Sequence, residues 1–231
     1  MGKDNQPKAR QTKQLARKLS RREGYDRILI VSEGSKTEPL YLNEIRTKFR
    51  LSTTNVQVQH SQYGTSPLQV VEYAEHLFKN GDENKYIEPH AFEQVFVVFD
   101  RDDHITYHLS PITYHQALSK AEALNGKLRN DLKQPVSVQA IVSVPCFELW
   151  LLLHFEDILA PMHRDVVYQR LRQYLPNYDK GQVGYYQQTC NYSRAATQRA
   201  EQLAQLTSAY NGVEPYTDMH RLVTLLTTLK T

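Results

Sequence analysis

Five consecutive apolar residues, Val95-Phe96-Val97-Val98-Phe99, run straight into Asp100, Asp102 and Asp103. A continuous apolar run of this length is the mark of a strand buried on both faces, as in a parallel sheet. It constrains the rest of the chain, because such a sheet must be covered by helices on both sides. Open α/β sheets carry their chemistry at the carboxyl ends of the strands, which is where Asp100 and Asp102 fall. A spacing of two along an extended chain aims both carboxylates the same way. Like charges so placed are best accommodated around a divalent cation. A lone Asp-x-Asp is ordinarily a solvated acidic turn. Here a second stretch, Ile28-Leu29-Ile30-Val31-Ser32-Glu33-Gly34, repeats the design: an apolar strand, then an acid and a glycine.

The intervening sequence supplies helices in alternation. Arg27–Ser32 is predicted as the first strand, and Thr37 as the N-cap of a helix reaching about Arg50, with Glu38 suited to its positive end. Asn55–His60 alternates as a second strand, and Gly64-Thr65-Ser66-Pro67 opens a second helix. Asn80–His90 is an irregular link to the central strand. A helix over roughly Ile112–Asn125 and a strand over Val136–Val142 follow. Pro145 then starts an apolar helix, Cys146 to Phe155, in which Glu148 is embedded. A carboxylate buried there without a partner costs several kcal/mol, roughly, so Glu148 requires a cation, a metal or a backbone partner. Three more helices are predicted, near Asp165–Tyr174, Tyr192–Tyr210 and Asp218–Leu229, with an irregular tyrosine-rich segment around Tyr178–Tyr186. The order β-α-β-α-β-α-β followed by helices predicts a doubly wound parallel sheet.

The chain has 231 residues, 40% of them apolar, enough for a sizeable core. No apolar run approaches membrane-spanning length, so no membrane association and a cytoplasmic location are expected. Cys146 and Cys190 lack metal-ligand spacing and are read as reduced and structural. The net charge of +3 conceals an asymmetry. Residues 1–27 carry nine Lys/Arg, Arg17, Lys18, Arg21 and Arg22 among them, against Asp4, Glu23 and Asp26, and the remainder is slightly acidic. A basic arm on such a body suits a polyanion, nucleic acid above all. The division expected is a basic arm over 1–26, a catalytic core over 27–160 and a helical part over 161–231 packed on that core. His104, His108 and His115 have neither an interposed acid nor a cysteine partner and are read as solvated loop residues. His154 and His220 are read as structural, and Tyr178, Tyr185 and Tyr186 as packing.

Four strings together resemble the RloB-like family of Toprim-type proteins: Ile-Val-Ser-Glu-Gly-Ser-Lys-Thr-Glu-Pro-Leu-Tyr (30–41), Val-Phe-Asp-Arg-Asp-Asp (98–103), Ser-Val-Pro-Cys-Phe-Glu-Leu-Trp-Leu-Leu-Leu-His-Phe (143–155) and Glu-Pro-Tyr-Thr-Asp-Met-His-Arg-Leu-Val (214–223), with Tyr178 and Lys180 between the last two. The resemblance implies a Toprim-like (Rossmann-like) α/β fold: a parallel sheet flanked by helices, with a C-terminal helical extension. It implies a metal centre in which Glu33 is a ligand or general acid/base and Asp100 and Asp102 are ligands. Glu38 and Glu148 are implied at a second metal site, as in overcoming-lysogenization-defect nucleases. Glu38 follows Glu33 by five positions, where those nucleases usually use four. RloB-like genes are associated with restriction-modification and phage-defence loci, and related Toprim effectors cleave nucleic acid, including tRNA.

Phosphodiester cleavage needs a metal on the scissile phosphate and a base for the attacking water. Oxygen-only ligands favour Mg²⁺ or Mn²⁺ over zinc. Lys180, Arg101 or Lys36 can neutralise developing charge, and Lys180 joins Glu33, Asp100, Asp102 and Glu148 as a candidate catalytic residue. The expected function is therefore a metal-dependent nuclease acting on RNA, including tRNA, or DNA as an anti-phage effector. A sensor, an ATPase or another defence protein is an expected partner, and oligomerisation is left open. The alternative is a non-catalytic nucleic-acid-binding or sensing module, with Lys36, Arg101 and the arm residues contacting the backbone.

Overall fold

The computed structural model describes residues 24–101, 110–210 and 215–230. Elements are numbered within these segments. A five-stranded sheet in the order β2-β1-β3-β4-β5 forms the centre. Its strands are β1 (Ile28–Ser32), β2 (Val56–His60), β3 (Gln94–Asp100), β4 (Ser137–Val144) and β5 (Tyr216–Thr217). The first four are parallel; β5 pairs antiparallel to β4, with Ser143 opposite Thr217. The sheet is thus mostly parallel and the fold α/β, Rossmann-like, as the apolar runs predict. The two-residue β5 is the departure, too short for any periodicity to register.

Alternation along the strands sends side chains into two separate cores. Ile28, Ile30, Phe96, Val98 and Ile141 face one side, and Leu29, Val31, Val95, Val97, Phe99 and Val142 the other. Helix α1 (Thr37–Lys48) buries Tyr41, Leu42 and Ile45 in the first core. Helices α2 (Pro67–Asn80) and α3 (Ser110–Leu124) cover the second, through Val70, Val71, Leu77, Phe78, Tyr114 and Ala117. Thr37 is the first helical residue of α1 rather than its cap; Lys36 holds the cap position without a side-chain hydrogen bond. The start of α2 follows its sequence signal closely. Ser66 and Gln69 form a reciprocal capping box ahead of Pro67, which satisfies N–H groups that the first turn leaves open.

Beyond β4 the predicted boundaries shift more. A cis Val144–Pro145 bond precedes α4, which spans only Glu148–Leu152 instead of the whole apolar stretch. Helix α5 is Arg164–Tyr174, α6 is Tyr185–Thr189, α7 is Ser193–Leu206 and α8 is Met219–Thr228. Residues of α4, α5, α7 and α8 share the first core with β1 and α1. No described helix is long and apolar enough to cross a membrane.

His154 is buried beside Trp150, and its Nδ1 lies 2.9 Å from the Trp150 carbonyl, to which it donates. Nε2 has no hydrogen-bond partner among the described residues. Burial therefore lowers its pKa from 6.5 to about 4, since the imidazolium would sit dry and unpaired. The structural reading of this histidine agrees with its surroundings. The folded-state value lies below the unfolded one, so the unfolded chain takes up the proton first as pH falls. His154 should consequently cost stability progressively between pH 6.5 and 4, by about 3 kcal/mol in full at ~1.4 kcal/mol per unit. Urea melts at pH 7 and pH 4.5 should show a smaller acid loss in His154→Gln than in the wild type; equal losses would clear this residue of the effect.

Candidate functional site

The strand order reverses direction between β1 and β3: the chain leaves β1 for β2 on one side and returns to β3 on the other. At such a switch point the loops diverge and open a crevice at the carboxyl edge. Glu33 follows β1 there, and Asp100 ends β3. The Glu33 N–H continues the ladder onto Val98 O at 2.8 Å, which fixes the residue's direction of exit. Its Oε2 in turn accepts the Asp100 N–H at 3.1 Å, so the two acidic residues are joined directly.

Glu38 and Glu148 form a second acidic pair alongside. Glu38 sits in the first turn of α1, buried, with its carboxylate packed over Gly34 so closely that a Cβ at that glycine would collide with it. Burial pushes its pKa up; its own backbone N–H works against this, the Glu148 charge adds to the rise, and Lys180 and the Gly34 N–H oppose it. Glu148 opens α4 and is only 1% exposed. Its Oε1 accepts the Tyr178 hydroxyl at 2.6 Å and lies 3.6 Å from Lys180 Nζ. Its Oε2 has no hydrogen-bond partner among the described residues. The requirement for a cation at Glu148 is thus met in part, and one oxygen is left over.

Cys146 is buried near both pairs, and its pKa is raised first by burial and then by the charges of Glu148 and Asp100.

Lys180 reaches the site from a loop that is itself clamped from α1. Glu44 of α1 accepts the N–H groups of Gly184, Tyr186 and Gln187, serving as a cap supplied from another helix to α6. The stem of Lys36 packs against Gly181, whose φ of +88° and lack of a side chain are both needed there. Lys36 itself is exposed, and Arg101 holds the end of β3 to β4 through its N–H to Ser143 O at 2.9 Å. Burial disfavours the Lys180 ammonium, but Glu148 and the Tyr168 hydroxyl outweigh this and hold its pKa above the usual range.

Of the predicted site residues, Glu33 and Asp100 are joined by a hydrogen bond and Glu148 and Lys180 by an ion pair, and Glu38 lies near enough to feel the charges of both. Asp102, Arg17, Lys18, Arg21 and Arg22 lie outside the described residues, as do His104 and His108. Among the described residues, no three His, Cys, Asp or Glu side chains gather closely enough to enclose a metal ion. The donor chemistry is of the kind a hard divalent cation takes: carboxylate oxygens, with Oε2 of Glu148 a buried acceptor lacking a donor among the described residues. Sequence reasoning missed Cys146, Tyr168 and Arg164, and treated Tyr178 as packing. Tyr178 is buried, yet its hydroxyl is spent on Glu148. Spacing was the available signal, with Cys146 two residues before Glu148, Tyr178 two before Lys180, and Arg164 one helical turn before Tyr168.

A family model described as RloB-like protein matches residues 28–226. No curated protein and no solved structure matches the chain.

The Tyr178–Glu148 bond is buried and charge-assisted, a class worth roughly 1.5–3 kcal/mol. A double-mutant cycle of Tyr178→Phe and Glu148→Met, followed by urea unfolding without metal, should return a coupling in that range. A coupling near zero would separate the two side chains.

Proposed function

The chain belongs to the RloB-like family, and on that premise we propose that its acidic corner is the active centre of a divalent-metal-dependent nuclease. The observation that carries this reading is Glu148: a carboxylate oxygen almost fully buried, without a donor among the described residues, beside a second buried carboxylate. A buried carboxylate oxygen without a donor costs the fold free energy, and a cation at Oε2 would offset that cost.

In this proposal Asp100, Glu148 and Glu38 would contribute carboxylate oxygens to the cation, which would have to draw them together, since among the described residues no three of them stand close enough to enclose it. Mg²⁺ or Mn²⁺, when bound, supplies polarisation of the scissile phosphate and acidification of the attacking water. Glu33, fixed by the Asp100 N–H through Oε2, is the group that takes or returns the proton. Tyr178 holds Oε1 of Glu148 and leaves Oε2 for the cation. Lys180 provides positive charge next to the carboxylates without entering them fully, being 51% exposed. The substrate is nucleic acid, RNA including tRNA or DNA, and the biological setting is an effector role in phage defence.

The experiment is incubation of the purified protein with supercoiled DNA, single-stranded DNA and total tRNA, each with Mg²⁺, Mn²⁺ or EDTA. Cleavage of at least one substrate is expected with metal and not with EDTA. Asp100→Asn should reduce it to background with an unchanged melting temperature. An uncut set of substrates with binding retained would favour a nucleic-acid-binding module. An unaltered rate in Asp100→Asn would remove this aspartate from the mechanism.

A further inference from the structure

A cavity of 460 Å³ opens among the helices at the end of α1 that points away from the acidic corner. Glu38 lies in the first turn of α1 and Phe49 closes its last, so the helix sets the two places about 15 Å apart at ~1.5 Å per residue. Phe49 and Tyr186 line the cavity, together with Ser193, Arg194 and Thr197 of α7 and Thr224 of α8. Its size is that of an ordinary small-molecule site. Among the described residues, no acid lines it.

The polar groups at this cavity lack the partners their surroundings call for. Tyr186 is only 4% exposed, yet its hydroxyl makes no hydrogen bond among the described residues. Ser193 Oγ is buried and likewise without a partner among them. Burying a hydroxyl unpaired is costly, and an acceptor brought in from outside removes that cost. Burial first, and then the neighbouring Cys190, raises the Tyr186 hydroxyl to about 12, so it keeps its proton and can donate. Arg194, also in the lining, has neither an ion pair nor a hydrogen bond among the described residues. Lys48 Nζ reaches the same place, 5.2 Å from the Tyr186 ring centroid, and donates to Cys190 Sγ at 3.0 Å. It has no carboxylate partner among the described residues. Glu44, one turn earlier on α1, is engaged instead by the N–H groups of Gly184, Tyr186 and Gln187. Both positive charges are therefore uncompensated.

Two cations and two free hydroxyls, with no acid among them, select an anion. A phosphate suits them best, since a guanidinium fork, an ammonium and two O–H groups can each take one of its oxygens. The cavity has room for more than a phosphate. Phe49 and Val223 give a flat apolar body a surface, and Thr197, Gln198 and Thr224 can hydrogen-bond its polar edges. A nucleoside presents both. We propose that this cavity binds a free nucleoside monophosphate, its phosphate held by Lys48, Tyr186, Ser193 and Arg194. The site lies apart from the acidic corner and does not depend on that corner being a nuclease.

The test is isothermal titration calorimetry of the purified full-length chain, in EDTA, with the four ribonucleoside 5′-monophosphates, adenosine and inorganic phosphate. At least one nucleotide should bind one-to-one, about tenfold or more tighter than either adenosine or phosphate. For that nucleotide, Lys48→Gln and Arg194→Gln should each weaken binding about tenfold, as expected for a lost charge-assisted hydrogen bond. Tyr186→Phe removes only the hydroxyl and should weaken it about threefold to tenfold. Melting temperatures identify any variant that fails to fold, and the two substitutions at exposed positions, Lys48 and Arg194, serve if Tyr186→Phe does not. Absence of binding by every nucleotide at millimolar concentration would overturn the site. Binding unaltered in all the folded variants would place the nucleotide elsewhere and overturn it equally. Phosphate or adenosine binding as tightly as the nucleotides would overturn the nucleotide assignment. None of these results bears on metal-dependent cleavage, which is read separately.

Discussion

The geometry of right-handed crossovers governs how this chain is used. A parallel sheet buried on both faces needs two helical layers, and each β-α-β connection can lay its helix on only one face, chosen by the direction of travel. The step from β1 to β2 places α1 on one face; the return to β3 and the step to β4 place α2 and α3 on the other. The face beneath β3 and β4, carrying Phe96, Val98 and Ile141, is then left without a crossover helix. Leu149, Trp150 and Leu151 of α4, Ala196, Ala200 and Leu203 of α7, and Leu222, Val223 and Leu226 of α8 fill it. The last third of the chain is therefore the missing layer of the core.

The same topology decides where the candidate acids sit. Glu33 and Asp100 come from strands that adjoin in the sheet and whose connections diverge, so the backbone itself brings them together. Glu148 arrives from the opposite direction, at the head of the short helix that begins to fill the uncovered face. Covering the sheet and completing the acidic corner are one act of folding. The cost is a nearly dry carboxylate, tolerated because Tyr178 and Lys180 share its Oε1 side.

Much of this was legible in the residues. The unbroken apolar runs of β1 and β3 and the capping signal at Ser66 are local features, and the parallel, doubly wound layout follows from them. Glu148 was conspicuous as an acid inside an apolar string. Less legible was anything settled by tertiary contact. The apolar stretch 146–155 promised a longer helix, yet only Glu148–Leu152 is helical, because burial among helices and sheet, not periodicity, keeps its neighbours apolar. Helix α6 is five residues long and depends on Glu44, some 140 positions earlier, for its first-turn N–H groups. The partnership of Tyr178 with Glu148 joins residues 30 apart whose hydroxyl and carboxylate give no sign of each other in the sequence. Tyr168 and Arg164 look like any polar helix face until Lys180 is folded over them.

The fastening of the Lys180 loop to α1, through Gly181 on the Lys36 stem and Glu44 on the turn of α6, has a consequence in time. It joins the first quarter of the chain to the last, and closures of that span come late in folding, after local elements have formed. During synthesis, every candidate acid from Glu33 to Glu148 is made before Tyr178 and Lys180 exist. Until they emerge, Glu148 has neither the hydroxyl nor the ammonium that hold its Oε1. The acidic corner is thus set in order by the C-terminal third of the polypeptide, and a ribosome-bound fragment carries the acids without their alignment.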